Sequence, residues 1–128
     1  MAKAFLPKTN SKLLDLAGYG GEGNFKINAL TAGTSATLTE KMQEMAIKDG
    51  YSLNDISGKT EEINAKYNIP LMLLTVELCV EVEDDVGFRP ITKQEVTGLP
   101  MRLCTDIYYL IMEMNDFPLV QNAGEESN

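Results

Sequence analysis

A chain of 128 residues, 44% hydrophobic and 23% charged, has the make-up of one soluble globular domain, long enough to bury roughly 65–70% of its unfolded surface. Its net charge of −8 is lopsided: residues 1–48 hold six Lys against four Asp/Glu, and residues 49–128 hold five Lys/Arg against fifteen Asp/Glu, so most of the surface would repel a phosphate backbone and nucleic acid is not an expected partner. The absence of His excludes Ser-His-Asp and Cys-His catalysis within one chain, and two cysteines without histidine cannot supply a four-ligand zinc site; acid–base work by carboxylates stays open but needs a pocket to support it, and no metal or cofactor is expected.

The first residues, Met-Ala-Lys-Ala-Phe-Leu-Pro-Lys, lack the apolar region of a signal peptide, and the longest apolar run, residues 69–74, is far shorter than the ~20 residues that cross a bilayer. A cytoplasmic protein with no membrane contact is expected. Cys79 and Cys104 sit among apolar residues and read as free, buried thiols. Residues 1–17 are mixed, and a loosely ordered start is one reading of them. Within them Ser11-Lys12-Leu13-Leu14-Asp15-Leu16 reads as either a helical turn or an extended lead-in. A glycine-rich turn, Gly18-Tyr19-Gly20-Gly21-Glu22-Gly23-Asn24, precedes Phe25-Lys26-Ile27-Asn28-Ala29-Leu30, whose period-two alternation predicts a half-buried strand and, with the residues before the turn, a hairpin.

Residues 31–36 are small and polar and read as a loop. Thr37-Leu38-Thr39-Glu40 matches a capping box and predicts a helix bearing Leu38, Met42, Met45 and Ala46 on one face, closed by Gly50. Residues 54–58 read as loop. A helix is predicted from about Thr60, where Glu61 and Glu62 suit the positive dipole end, to about Tyr67. Asn68 then looks like the N-cap of a further helix with Pro70 in its first turn. From Leu71 to Val80 only Thr75 and Glu77 are polar, the pattern of a helix buried nearly all round. It frays into Val80-Glu81-Val82-Glu83, and Asp84-Asp85-Val86-Gly87 fits a type I turn.

Thr92 and Glu95 form another capping box, and Ile91 and Val96 have the spacing of a hydrophobic staple. Gly98 stops that short helix. Pro100 opens the last one, which runs to about Asn115 with two apolar stripes: Leu103, Ile107, Leu110, Ile111 and Met114 on one, Met101, Cys104, Tyr108 and Met112 on the other. One stripe closes a small core, and the second calls for a central position or a partner. Residues 117–128 read as an acidic flexible tail. The expected fold is therefore mainly α (α+β): a single domain over residues 1–116 of about four to five helices with a short N-terminal β-hairpin.

Three features have both a functional and a bland reading. Gly18-x-Gly20-x-x-Gly23 matches the dinucleotide fingerprint by letter, but a strand rather than a helix follows it, which favours a hairpin turn. Glu81, Glu83, Asp84 and Asp85 lack the ligand spacing of a calcium loop and read as a solvated acidic turn. The methionines suit either an irregular core or an adaptable contact surface. Met42, Met45, Met101, Tyr108, Ile111 and Met112 are the candidate partner or self-association surface.

The segment Gly20-Gly21-Glu22-Gly23-Asn24-Phe25-Lys26-Ile27-Asn28-Ala29-Leu30-Thr31-Ala32-Gly33 resembles the N-terminal hairpin of bacteriophage tail assembly chaperones. Glu83-Asp84-Asp85-Val86-Gly87-Phe88-Arg89-Pro90-Ile91-Thr92 resembles their Asp-x-x-Gly turn and capped helix, and residues 99–115 look like their last helix. The resemblance implies a non-enzymatic protein of long-tailed, non-contractile (siphovirus-type) phages that binds the tape measure protein, keeps it soluble, helps recruit major tail (tube) protein, self-associates, works in the host cytoplasm and is absent from the finished virion. In many such phages a programmed frameshift also makes a longer product. Two other classes fit the composition: a structural head–tail adaptor or tail completion protein, which would be retained in the particle, and a small nucleotide- or metal-binding enzyme.

Overall fold

The computed structural model describes residues 10–127, with side chains as far as Asn115. Residues 1–9, part of the expected loosely ordered start, lie outside it. The described chain is an α+β domain in which a four-stranded antiparallel sheet, in the order β1-β2-β3-β4, is packed by helices. β1 (Ser11–Asp15) and β2 (Asn24–Asn28) form the expected hairpin, with Leu13 opposite Lys26 and Leu14 opposite Phe25. A 3-10 turn over Leu16–Tyr19 and the glycines join them.

After β2 come α1 (Ala32–Lys48), α2 (Leu53–Gly58), α3 (Thr60–Lys66) and α4 (Asn68–Cys79). The chain then enters β3 (Val80–Asp84), β4 (Gly87–Pro90), α5 (Lys93–Thr97) and α6 (Met101–Ser127). The sheet thus exceeds the expected hairpin by two strands. Val80-Glu81-Val82-Glu83 does not fray from the helix. It is a strand whose Val80 and Val82 lie opposite Ile27 and Phe25 of β2, so its alternation has the same cause as that of β2: one face on the core, one towards water. The turn after it stands as read, with the Asp84 carboxylate accepting from the N–H groups of Val86 and Gly87 at 2.9 and 3.0 Å.

Three local expectations are corrected. The expected loop over residues 31–36 is helix from Ala32 on, because Thr31, its N-cap, and Thr34 form a reciprocal cap (Thr34 N–H to Thr31 Oγ1, 3.1 Å; Thr31 N–H to Thr34 Oγ1, 2.7 Å). Thr37, read as the cap, lies inside α1 and donates its hydroxyl to the Gly33 carbonyl. Residues 54–58 are likewise helical, since Ser52 and Asp55 make a second such cap at 3.1 and 2.9 Å. Asn68 is the first residue of α4 rather than its cap, and Tyr67, which occupies the cap position, makes no side-chain cap bond. The Thr92–Glu95 box is formed as read, with Ile91 and Val96 both buried beside it. Gly50 takes the left-handed conformation expected of it, φ +99°. The helical backbone of α6 continues past the expected end at Asn115 to Ser127.

The main core joins Phe25, Ile27 and Val80 of the sheet to Met72, Val76 and Cys79 of α4 and to Leu103, Ile107, Ile111 and Met114 of α6. A satellite core of Ala46, Ile56, Ile63 and Tyr67 lies under α1, α2 and α3. Tyr67 ties the two halves of this layer together by donating its hydroxyl to the Asp49 carboxylate, and that bond pushes its pKa up to about 12. No described helix is long and apolar enough to cross a membrane.

Candidate functional site

α4 presents different faces to different neighbours. Met72, Thr75, Val76 and Cys79 are buried, and no residue from Leu71 to Val80 is fully exposed. Yet α4 is not sealed. Ile69, Pro70, Leu73 and Leu74 form the apolar floor of a groove that Met45 of α1 and Val96 of α5 complete. Its volume is about 510 Å³, within the usual range for pockets that take ligands or anchoring side chains. Lys41, Glu44, Glu77 and Lys93 stand around the rim, so both signs of charge are available at the edges of an apolar trough. Ile69, 47% exposed, is its most open large hydrophobic residue.

Pro70 helps to keep this floor open. In the first turn of α4 it lacks an N–H that would be unpaired there anyway, so it starts the helix without cost and leaves its ring on the surface. The opposite wall depends on α5, a helix of five residues that cannot hold its place by itself. Arg89 of β4 fixes it, with two guanidinium nitrogens donating to the two carboxylate oxygens of Glu95, both at 2.8 Å. The same carboxylate accepts the Thr92 N–H at 3.0 Å.

The Arg89 bond, with the Thr92 N–H behind it, holds the Glu95 carboxyl at a pKa of about 2, against an ordinary value of 4.5. A carboxyl whose folded pKa is depressed stabilises the fold above its unfolded value and loses that contribution as the pH falls to its folded one. The difference in urea midpoint between the parent chain and Glu95→Gln should therefore be present at pH 6, shrink from about pH 4.5 downwards and vanish near pH 2. A gap that stays constant over this range would place the stabilisation elsewhere.

The six residues singled out from the sequence divide among different environments. Met42, Tyr108 and Met112 meet in a small cleft of about 170 Å³ between α1 and α6, lined also by Leu38, Leu71 and Thr75. Met45 lines the larger groove instead. Met101 is 54% exposed at the start of α6 and belongs to neither. Ile111 is 0% exposed, so it is a core residue and drops out of any contact surface. The second stripe of α6 is explained chiefly by packing within the chain: Cys104 is buried, and Tyr108 and Met112 lean on the main core. What the sequence reading missed are Ile69, Leu73, Leu74 and Val96. For the three on α4 the signal was a helix with only Thr75 and Glu77 polar from Leu71 to Val80, in a chain too small to bury it all round; Val96, on α5, carried no such signal.

The other two features have structural roles. The Gly18–Gly20–Gly23 residues make the β1–β2 connection, where Gly20 and Gly23 have φ of +80° and +79° and the Leu16 N–H donates to the Gly23 carbonyl at 3.0 Å. No helix N-terminus follows to face a pyrophosphate. A Cβ on Gly23 would lie 2.9 Å from Glu83 Oε1, the oxygen that accepts the Asn24 N–H at 2.9 Å. Glu81 accepts from the Asn28 amide at 2.9 Å and lies 3.8 Å from the Lys26 ammonium. The acidic residues of β3 thus hold the turn and β2 in place. Among the described residues no group of three or more His, Cys, Asp or Glu side chains is placed to hold a metal ion. Comparison with protein-family models, curated proteins and solved structures finds no match to this chain.

Proposed function

We propose that this chain is a tail assembly chaperone of a long-tailed, non-contractile phage. It binds the tape measure protein, keeps it soluble and helps bring tail tube subunits to it during tail morphogenesis in the host cytoplasm. The observation that carries the reading is the open apolar groove on α4. A tape measure protein is long, helical and apolar, and a trough floored by Ile69, Leu73, Leu74, Val96 and Met45 with charges of both signs at its rim suits one face of an amphipathic helix. The succession of glycine hairpin, Asp-x-x-Gly turn, capped helix and long last helix, which carries the family resemblance, supports it independently. The surplus negative charge favours solubility of a complex with a sticky client.

The reading is tested by coexpression with the tape measure protein of the same phage. Client made with this chain should move from the pellet to the soluble fraction and co-purify with it. A client equally soluble alone, with no co-purification, overturns the proposal.

A further inference from the structure

The two edges of the sheet differ. In the β3–β4 pair the Ile91 N–H donates to the Val80 carbonyl at 3.0 Å, and alternation along an antiparallel ladder then turns the backbone groups of Arg89 and Gly87 inward and those of Phe88 and Pro90 outward. Pro90 has no N–H to offer, so this short edge is blunted. At the other edge the Ala29 N–H donates to the Asn10 carbonyl (2.8 Å) and the Leu16 N–H to the Gly23 carbonyl (3.0 Å). Between these bonds Lys12 and Leu14 face β2, and the N–H and C=O groups of Ser11, Leu13 and Asp15 point away from the sheet. Nothing among the described residues pairs with them. Leu13, in the middle, is a 62% exposed leucine on the solvent face.

We infer that the outer edge of β1 pairs with β1 of a second copy of this chain, antiparallel and centred on Leu13, to make one continuous eight-stranded sheet. The strand is self-complementary in this register. Leu13 would exchange its N–H and C=O with Leu13 of the second copy, and each Asp15 N–H would meet the other copy's Ser11 carbonyl. The two exposed leucines would become neighbours on one face and shield each other. Charge selects the register: Asp15 falls opposite Ser11 and Lys12 opposite Leu14, whereas sliding by two residues one way would put Lys12 opposite Lys12. Sliding the other way gives up the Ser11 contacts. A two-fold axis through Leu13 also keeps both core faces on the same side of the joined sheet, and β1 itself carries one Lys and one Asp, so the chain's acidity does not oppose contact there. This pairing uses neither the α4 groove nor the chaperone reading.

The test is sedimentation of the full chain over a concentration series. The parent should show a concentration-dependent dimer. Leu13→Lys alone and Leu13→Glu alone should each dimerise at least ten-fold more weakly with unchanged circular dichroism, and an equimolar mixture of the two should recover the dimer. Leu13→Cys should give a disulfide-linked dimer under mild oxidation, because Leu13 faces its own copy, while Ser11→Cys should not. Cys79 and Cys104 are buried and do not compete. A parent chain monomeric throughout the series, charge variants that dimerise as well as the parent, a mixture no better than its parts, or equal cross-linking at positions 11 and 13 would each overturn the pairing.

Discussion

Truncating Ile111 to alanine should cost the fold roughly 2–5 kcal/mol, read as a fall in the urea midpoint. The side chain is 0% exposed and shares its stripe with the equally buried Ile107. It belongs to one core cluster with Phe25 and Ile27 of β2 and Val76 of α4, so removing its methyls leaves a void in a close-packed core that can relax only in part. Against a total stability of roughly 5–15 kcal/mol, such a loss leaves little margin. Tyr109→Ala, two positions earlier and 66% exposed, should change stability by about 0.5 kcal/mol or less. A loss below about 1 kcal/mol for Ile111→Ala would mean that α6 presents this face to something other than the core. The same burial makes any charge at position 111 a test of folding and not of binding.

The second large effect concerns binding, and it rests on the proposed function. If the groove takes the proposed tape measure client, Ile69→Lys should weaken their co-purification by roughly 30-fold, the size expected when a groove anchor worth about 2 kcal/mol is lost and a charge takes its place. Stability should hardly change, because Ile69 is half exposed at the outer end of α4. Met101→Lys makes the same chemical change on an exposed residue outside the groove and should leave binding intact. If Met101→Lys abolishes binding and Ile69→Lys does not, the client sits on α6 and the groove is not its receptor.

Where the sequence could be read correctly, a short-range rule was sufficient. The Thr92–Glu95 cap, the Gly50 helix end, the glycine hairpin and the Asp84–Gly87 turn each depend on residues within a few positions of one another. Two other caps obey the same rule and were legible in principle. Ser52 with Asp55 was hidden by the turn-forming residues after it, and Thr31 with Thr34 lost to the better-looking Thr37–Glu40 match, although in α1 the Thr37 hydroxyl turns back to a carbonyl. β3 escaped because its alternation follows a mostly apolar helix without a break and acquires meaning only from β2, far away in the chain. The groove was illegible for the same reason. Met45, Ile69 and Val96 come from three helices, and nothing local marks them as neighbours. Apolar residues on α6 promised a contact surface that the core largely consumes, and α4, read as buried nearly all round, is where apolar surface remains open.

The pairing of β2 with β3 bears on how the chain is made. Asn28 and Glu81, hydrogen-bonded across that seam, are 53 positions apart, and all of α1 to α4 lies between them. Everything else in the sheet is a local hairpin. Closing so long a loop costs entropy before any pairing repays it, so the seam zips late, after the hairpins and helices that short-range contacts can form. On a ribosome β2 has β1 beside it from the start, but its other edge has no strand to pair with until Val82 has been synthesised. The first hairpin therefore passes through an interval with both its edges open, and the acidic residues of β3 that later clasp it are the last part of the sheet's interior to arrive.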